Sequence, residues 1–206
     1  FKYIKSEIDN GIYDVSIFVG TRDISNSMGE YINSNKNLGK KVLYQWDANS
    51  RFDLVHLHIY FDSIYSFQLS DCVNGVRYLP NFHFVKYERK RFSDKKEYEL
   101  ASVSTFSNER YSKLSNFIER NRIINSNIFF VSHNKKNWVL PYVGRQAISH
   151  EYMLDLYSRS KMVFDFNPPG QEGMSQRALE ALASGAILIT ENKDALSLFS
   201  KSKRVF

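Results

Sequence analysis

Two glutamates, Glu172 and Glu180, with seven residues between them, lie in the segment 162–185. There an apolar run, 162–166, enters Asn167-Pro168-Pro169-Gly170, and a helical pattern starts near Met174 or Ser175. The first backbone N–H groups of such a helix have no intrahelical partner. With the helix dipole they form an anion site at the carboxyl edge of a sheet. Gly170 and Gly173 let a ligand approach the backbone closely. Glu180 falls about one and a half turns into the helix, and its carboxylate can accept two hydrogen bonds from a vicinal diol such as ribose. Glu172, in the loop, can hold sugar hydroxyls. Plainer readings stand beside these. Glu180 taken alone is an exposed helix carboxylate. Arg177 either pairs with Glu180 at i,i+3 or contacts phosphate. Asp165, read as lying within the strand, is a structural side chain bonding loop amides, and Gly185 is a helix stop.

These residues need a scaffold. Strand patterns fall at 13–19, 41–46, 63–67, 100–104, 127–132, 162–166 and 186–190. Runs such as Val42-Leu43-Tyr44 and Ile187-Leu188-Ile189 suit strands covered on both faces of a parallel sheet. Helices are expected over 108–120 behind a Ser107 N-cap, over 150–158 behind Ser149, and over 174–184. Alternating strands and helices predict an α/β chain of two Rossmann-like domains facing a cleft. The expected division is 1–84 for an incomplete N-terminal domain, 85–98 for a linker and 99–206 for the C-terminal domain. The start at Phe1 within a helical pattern (1–5) and the apolar end Arg204-Val205-Phe206 suggest a fragment.

The 206 residues carry 28 Lys and Arg against 22 Asp and Glu, a net charge of +6. Part of the excess lies in Lys86-Tyr87-Glu88-Arg89-Lys90-Arg91 with Lys95 and Lys96, read as a solvated linker or as a peripheral membrane contact. No aromatic RNA-binding strand or other nucleic-acid motif is visible, so nucleic acid is not an expected partner. Cys72 stands alone, so no internal disulfide can form. With no long apolar run or signal-like start, the expected setting is cytoplasmic, at the inner face of the membrane if the acceptor is lipid-linked. No metal or other cofactor is expected: ligand spacing is lacking, and His56-Leu57-His58, read as a strand pair with both rings on one face, shows no third ligand. His150 reads as an exposed first-turn residue, and neither His83 nor His133 as a base.

The run Glu172-Gly173-Met174-Ser175-Gln176-Arg177-Ala178-Leu179-Glu180-Ala181-Leu182-Ala183-Ser184-Gly185, followed by Ala186-Ile187-Leu188-Ile189-Thr190, resembles the signature of GT-B-fold glycosyltransferases. Pro169-Gly170-Gln171 and Arg177 are similar to the branch that includes bacterial surface-polysaccharide and CgeB-like spore-coat transferases. The resemblance implies transfer of a sugar from a nucleotide-diphosphate sugar to a glycan or lipid-linked acceptor, without a metal, in cell-surface polysaccharide biosynthesis. It implies that Glu180 binds the ribose. It assigns Glu172, with the backbone at Gln171 and Gly173, to the donor sugar and distal phosphate. Met174 and Ser175 would offer N–H groups to the diphosphate, with Arg177 beside them. In the loop Thr105-Phe106-Ser107-Asn108-Glu109-Arg110, Arg110 or Lys113 would supply positive charge to the leaving group. Family members often carry Arg followed by Lys in that loop, and Thr105 stands near the Arg position. The turn Val143-Gly144-Arg145 would edge the base.

Trp46 and Asp47 end a first-domain strand, where they either face the acceptor or serve as a core Trp and a turn Asp. The glutamate pair leans toward a retaining outcome. The alternative function is a non-catalytic nucleotide-sugar-binding protein of the same fold.

Overall fold

The computed structural model describes residues 6, 8–20, 24–47, 54–83, 95–168 and 170–206. The helical pattern at 1–5, most of the expected linker with its basic run 86–91, and Pro169 lie outside the described residues. The chain forms two compact units, Phe1–Asn81 with Gly170–Gly173, and Phe82–Pro169 with Met174–Phe206. Among the described residues, no helix is long and apolar enough to cross a membrane.

Unit 1 holds a four-stranded parallel sheet of β1 (Val15–Val19), β2 (Lys40–Gln45), β3 (Ser63–Ser66) and β4 (Arg77–Tyr78), in that order. Helix α1 (Asn26–Ser34) connects β1 to β2 and is capped by Ser25, whose Oγ accepts from the Met28 N–H. Its Ile32 packs with Leu38, Leu43, Leu57, Tyr60, Phe61 and Ile64. The tetrapeptide Gly170–Gly173 is part of this unit: the Glu172 N–H donates to the buried Gln68 Oε1 at 2.8 Å.

Unit 2 holds a five-stranded sheet, every pairing parallel, of β5 (Tyr98–Thr105), β6 (Ser126–Val131), β7 (Val143–Gly144), β8 (Ser160–Phe164) and β9 (Ile187–Ile189). Their order is β7-β6-β5-β8-β9. The chain starts in the middle, moves to one edge, then crosses back to the other. The reversal falls between β5 and β8, where open α/β sheets bind ligands beyond the strands' carboxyl ends.

The strands of unit 2 sort their side chains by alternation. Ala101, Val163 and Leu188 face one core with Met153, Leu156 and Tyr157 of α3 (His150–Ser158) and Ala178, Ala181 and Leu182 of α4 (Gln176–Ala183). Leu100, Phe164 and Ile189 face the other with Tyr111, Leu114, Phe117 and Ile118 of α2 (Asn108–Arg120). Both faces are therefore covered, which is why these strands read as continuous apolar runs. Beyond β9, α5 (Lys193–Leu198) follows, and Val205 forms a parallel bridge to Leu188. The Ser184–Ala186 corner is a Schellman stop: Gly185, at φ +77°, donates to the Leu182 carbonyl and Ala186 to that of Ala181.

Several local expectations are corrected. His56, Leu57 and His58 lie in a 3₁₀ turn, Val55–Ile59, not a strand. At about three residues per turn, i and i+2 do not share a face, so the two imidazoles are not a same-face pair. Val143-Gly144 is a short edge strand paired with Phe130 and Val131 rather than a turn. The helix expected from Met174 begins at Gln176, with Ser175 as its cap. Strand β8 ends at Phe164, so Asp165 lies just past it, its N–H still bonded to the Ile189 carbonyl. Lys96 is not a solvated linker residue: its Nζ donates to the Ser158 carbonyl at 2.7 Å, and burial lowers its pKa.

Candidate functional site

The carboxyl ends of β5 and β8 carry a polar network. At the end of β5, Ser107 caps α2 by accepting from the Arg110 N–H at 3.2 Å. The cap fixes Arg110 in the first turn, and its side chain folds back over the strand end. Arg110 Nε donates to the Phe166 carbonyl at 3.0 Å, and Nη1 donates to Thr105 Oγ1 at 2.9 Å and to the Thr105 carbonyl at 3.3 Å. Thr105 is thus an acceptor that orients Arg110.

At the end of β8, Asp165 is buried. It accepts from the hydroxyl of Ser175, whose Oγ in turn accepts from the Ala178 N–H at 3.0 Å and so caps α4. Arg177 Nε lies 3.4 Å from Asp165 Oδ1. Of the two readings of Arg177, the i,i+3 pairing with Glu180 does not form. Arg177 turns toward the strand end, and Asp165 is a structural acceptor for a hydroxyl and a guanidinium rather than for loop amides.

The electrostatics follow from this packing. Burial lowers the Arg110 pKa, and Arg177 lowers it further against the opposing pull of Asp165 and Glu109. For Arg177, burial is the largest influence and acts downward, but Asp165, then Tyr157 and Glu180, carry the net shift upward. Asp165 therefore pairs with Arg177 and attracts Arg110 only through space. A recess beside Arg110 is lined by Ser102, Ser104, Arg110, Phe130, Phe164, Asp165 and Phe166.

Lys113 is differently placed. Its Nζ is 2.9 Å from Glu109 and 2.7 Å from Glu191, and it lies 5.4 Å from the centre of the Phe166 ring. Those two carboxylates raise its pKa, Glu191 first. Its charge is already matched twice over, whereas Arg110, among the described residues, bonds only neutral oxygens.

Glu180 is not the exposed carboxylate of the plain reading. Its side chain is 3% exposed, and Oε1 is 2.6 Å from His150 Nε2. His150 is in the first turn of α3, capped by Ser149, and its side chain remains 56% exposed. His150 is thus the exposed first-turn residue expected, and it has in addition a bond to Glu180 that the sequence did not announce. No local signal in the sequence joins two residues thirty positions apart; the packing of α3 against α4 does.

Other expected residues stand as follows. Met174 and Ser175 are buried and precede α4. The surroundings of Gly144 are open, and Arg145 is exposed. In unit 1, Trp46 and Asp47 follow the end of β2; Trp46 is exposed at 41%, so it is not a core residue, and the Asp47 carbonyl accepts from Gln45 Nε2. Glu172 is exposed, and Gln171 Nε2 donates to the Gly173 carbonyl at 3.2 Å. Gly173 does not open the backbone to a ligand on its Cβ side: an added Cβ would sit 2.5 Å from the Phe67 carbonyl oxygen. Among the described residues, no three His, Cys, Asp or Glu side chains are grouped to hold a metal ion.

Comparison with known proteins shows what the chain is similar to. The profile of the glycosyl transferase-like family matches residues 112–205, which span α3, β8, α4 and β9. A search of curated proteins gives no match. Among solved structures, the chain resembles an α1,3-fucosyltransferase at 16% identity and a TM-score of 0.50, covering 91% of this chain and 59% of that one. It is also similar to MurG of Acinetobacter baumannii (12% identity, TM-score 0.48, covering 96% and 59%) and to the spinosyn rhamnosyltransferase SpnG (14%, 0.42, covering 92% and 56%). The chain thus spans about three-fifths of the length of the structures it resembles. Residues 112–205 are thus similar to the glycosyl transferase-like family, and the chain has the GT-B fold.

Proposed function

We propose that the protein transfers a glycosyl group from a nucleotide-diphosphate sugar to a glycan or lipid-linked acceptor, in the synthesis of a cell-surface polysaccharide. The observation that carries this reading is the pair of arginines, Arg110 and Arg177, gathered with the capped start of α4 at the switch point between β5 and β8. Glycosyl transfer breaks the bond between the anomeric carbon and the diphosphate oxygen, and negative charge builds on that diphosphate. Preorganised cations and helix N–H donors stabilise charge where it develops. Arg110 is the main cation in this reading. Arg177, held by Asp165, and the amides of Met174 and Ser175 complete the phosphate site. Lys113, held by Glu109 and Glu191, is secondary.

Glu180 accepts from the ribose hydroxyls, and Gly144 and Arg145 border the base. Gln171, Glu172 and Gly173 are assigned to the donor sugar on the sequence resemblance, as are Trp46 and Asp47 to the acceptor side. The reading needs no metal, and it takes the outcome as retention at the anomeric carbon. It places the protein in the cytoplasm, at the membrane surface where the acceptor is lipid-linked.

The test is calorimetric titration of UDP, GDP, ADP and CMP, with EDTA present, into the protein and its Glu180→Gln and Arg110→Ala variants. One nucleoside diphosphate should bind saturably and name the donor's base, and both variants should weaken it. If none of the nucleotides binds, the donor-site reading fails. Binding without turnover of the matching sugar nucleotide, across a panel of acceptors, would instead mark a non-catalytic nucleotide-sugar-binding protein.

A further inference from the structure

A buried carboxylate needs an explanation, because an ionised group away from water is costly unless it is hydrogen-bonded. Glu180 lies on the buried side of α4 with Ala178, Ala181, Leu182 and Ala183. The partner the structure gives it is His150. The Glu180 side chain is 3% exposed and the His150 side chain 56% exposed, so one end of the pair is fixed in the protein and the other reaches solvent. A pair made only for stability gains little from a partner so open to water.

We propose that His150 is a positioning residue, holding the Glu180 carboxylate in the orientation that receives a ribose diol. This inference rests on the reading of Glu180 as the ribose-binding residue. A carboxylate has two oxygens and about four acceptor positions. The imidazole occupies one of them on Oε1, which fixes the plane of the group and leaves acceptor capacity for two hydroxyl donors. Chelating a diol requires both oxygens to be aimed at once. Without the imidazole, Glu180 is free to turn within its pocket, and the two-point contact becomes one-point. His150 therefore sets discrimination between ribose and deoxyribose while it need not touch the sugar.

The test compares ribonucleotides with their 2′-deoxy counterparts. UDP, GDP and ADP, and dUDP, dGDP and dADP, are titrated calorimetrically into the wild-type chain and into His150→Ala, His150→Leu and His150→Gln. A thermal melt checks that each variant folds, and His150→Leu keeps bulk at the site without a donor. The wild type should favour the ribonucleotide about tenfold, the value of one hydrogen bond to a charged acceptor. His150→Ala and His150→Leu should reduce that preference to about twofold or less. His150→Gln, which places an N–H donor at about the same reach as the imidazole Nε2, should restore it.

A preference unchanged in both His150→Ala and His150→Leu would overturn the proposal, as would a wild type that binds a nucleotide with no preference for ribose. If the wild type binds none of the six nucleotides, the donor-site reading itself falls and this inference with it. The two failures are therefore distinguishable.

Discussion

Arg177 Nε meets Asp165 Oδ1 at 3.4 Å, across the start of α4, instead of meeting Glu180 one turn further along the same helix. Asp165 thereby joins the end of β8 to the cap of α4, since it also accepts from the Ser175 hydroxyl. Replacing Asp165 by Asn removes a charge that a guanidinium and a hydroxyl both use. It should cost about 2 kcal/mol, in the range for hydrogen bonds to charged groups. Ser175→Ala, which removes the cap bond to the Ala178 N–H, should cost about 1 kcal/mol. Urea denaturation of the two single variants and the double variant measures both, and the shared Ser175–Asp165 bond should make the double variant less destabilised than the sum. Strict additivity would contradict the network.

The contrast between Arg110 and Lys113 gives a second prediction. Arg110 is held by carbonyl and hydroxyl oxygens, whereas Lys113 is held by two carboxylates. Arg110→Ala should weaken nucleoside diphosphate binding about tenfold or more, the scale of a lost charge-assisted hydrogen bond. Lys113→Ala should change it by less than about threefold, because exposed ion pairs contribute little. Neither variant should alter affinity for the matching nucleoside, which carries no phosphate. Calorimetry on the four ligand–variant pairs, beside the wild type, checks this, and an Lys113→Ala loss as large as that of Arg110→Ala would contradict it.

What was legible before the structure was what depends on neighbours in sequence. Ser107 and Ser149 announced the starts of α2 and α3, and Gly185 announced the stop after α4, because caps act over a few residues. The parallel sheet showed in runs such as Ile187-Leu188-Ile189, whose alternate residues enter different cores. The candidate site was legible as a list of residues but not as a set of partners. His150–Glu180 and Asp165–Arg177 form between elements brought together by packing, and Arg177 had an equally good local partner on paper. The alternating pattern Val55-His56-Leu57-His58-Ile59 imitates a strand, yet the segment closes into a 3₁₀ turn with Leu57 buried in the unit 1 core.

Gly173 gives a third prediction, this one within unit 1. The space beside its Cα is filled by Phe67: an added Cβ would lie 2.5 Å from the Phe67 carbonyl oxygen and 2.6 Å from Cδ2 of its ring. The ring could turn aside, but the carbonyl is backbone and cannot do so cheaply. Gly173→Ala should therefore destabilise the protein by about 1–3 kcal/mol, the usual range for overpacking. Gly144→Ala, where nothing lies within 4 Å of the added carbon, serves as the control and should shift stability by less than about 0.5 kcal/mol. Thermal and urea unfolding of both variants decide it, and equal effects would mean that the Phe67 contact is not what the glycine accommodates.

The last prediction concerns alkaline pH. The Tyr44 hydroxyl donates to Asn81 Oδ1 at 2.7 Å, with the Pro80 carbonyl 3.3 Å away. Burial, and then neighbouring Tyr78, push its pKa up from 10.0 to about 12. The folded state therefore keeps the proton where the unfolded state releases it. By linkage, the stability that Tyr44 contributes is complete below about pH 10 and falls as the pH rises toward 12. Tyr44→Phe removes both the hydroxyl's hydrogen bonds and its titration. It should be less stable than the wild type by about 1 kcal/mol at neutral pH, and that difference should shrink between pH 10 and 12. Urea unfolding of the two proteins at matched pH values measures the difference directly, so that lysine and other tyrosine titrations common to both cancel. A difference that stays constant across that interval would show that Tyr44 ionises alike in the folded and unfolded chain.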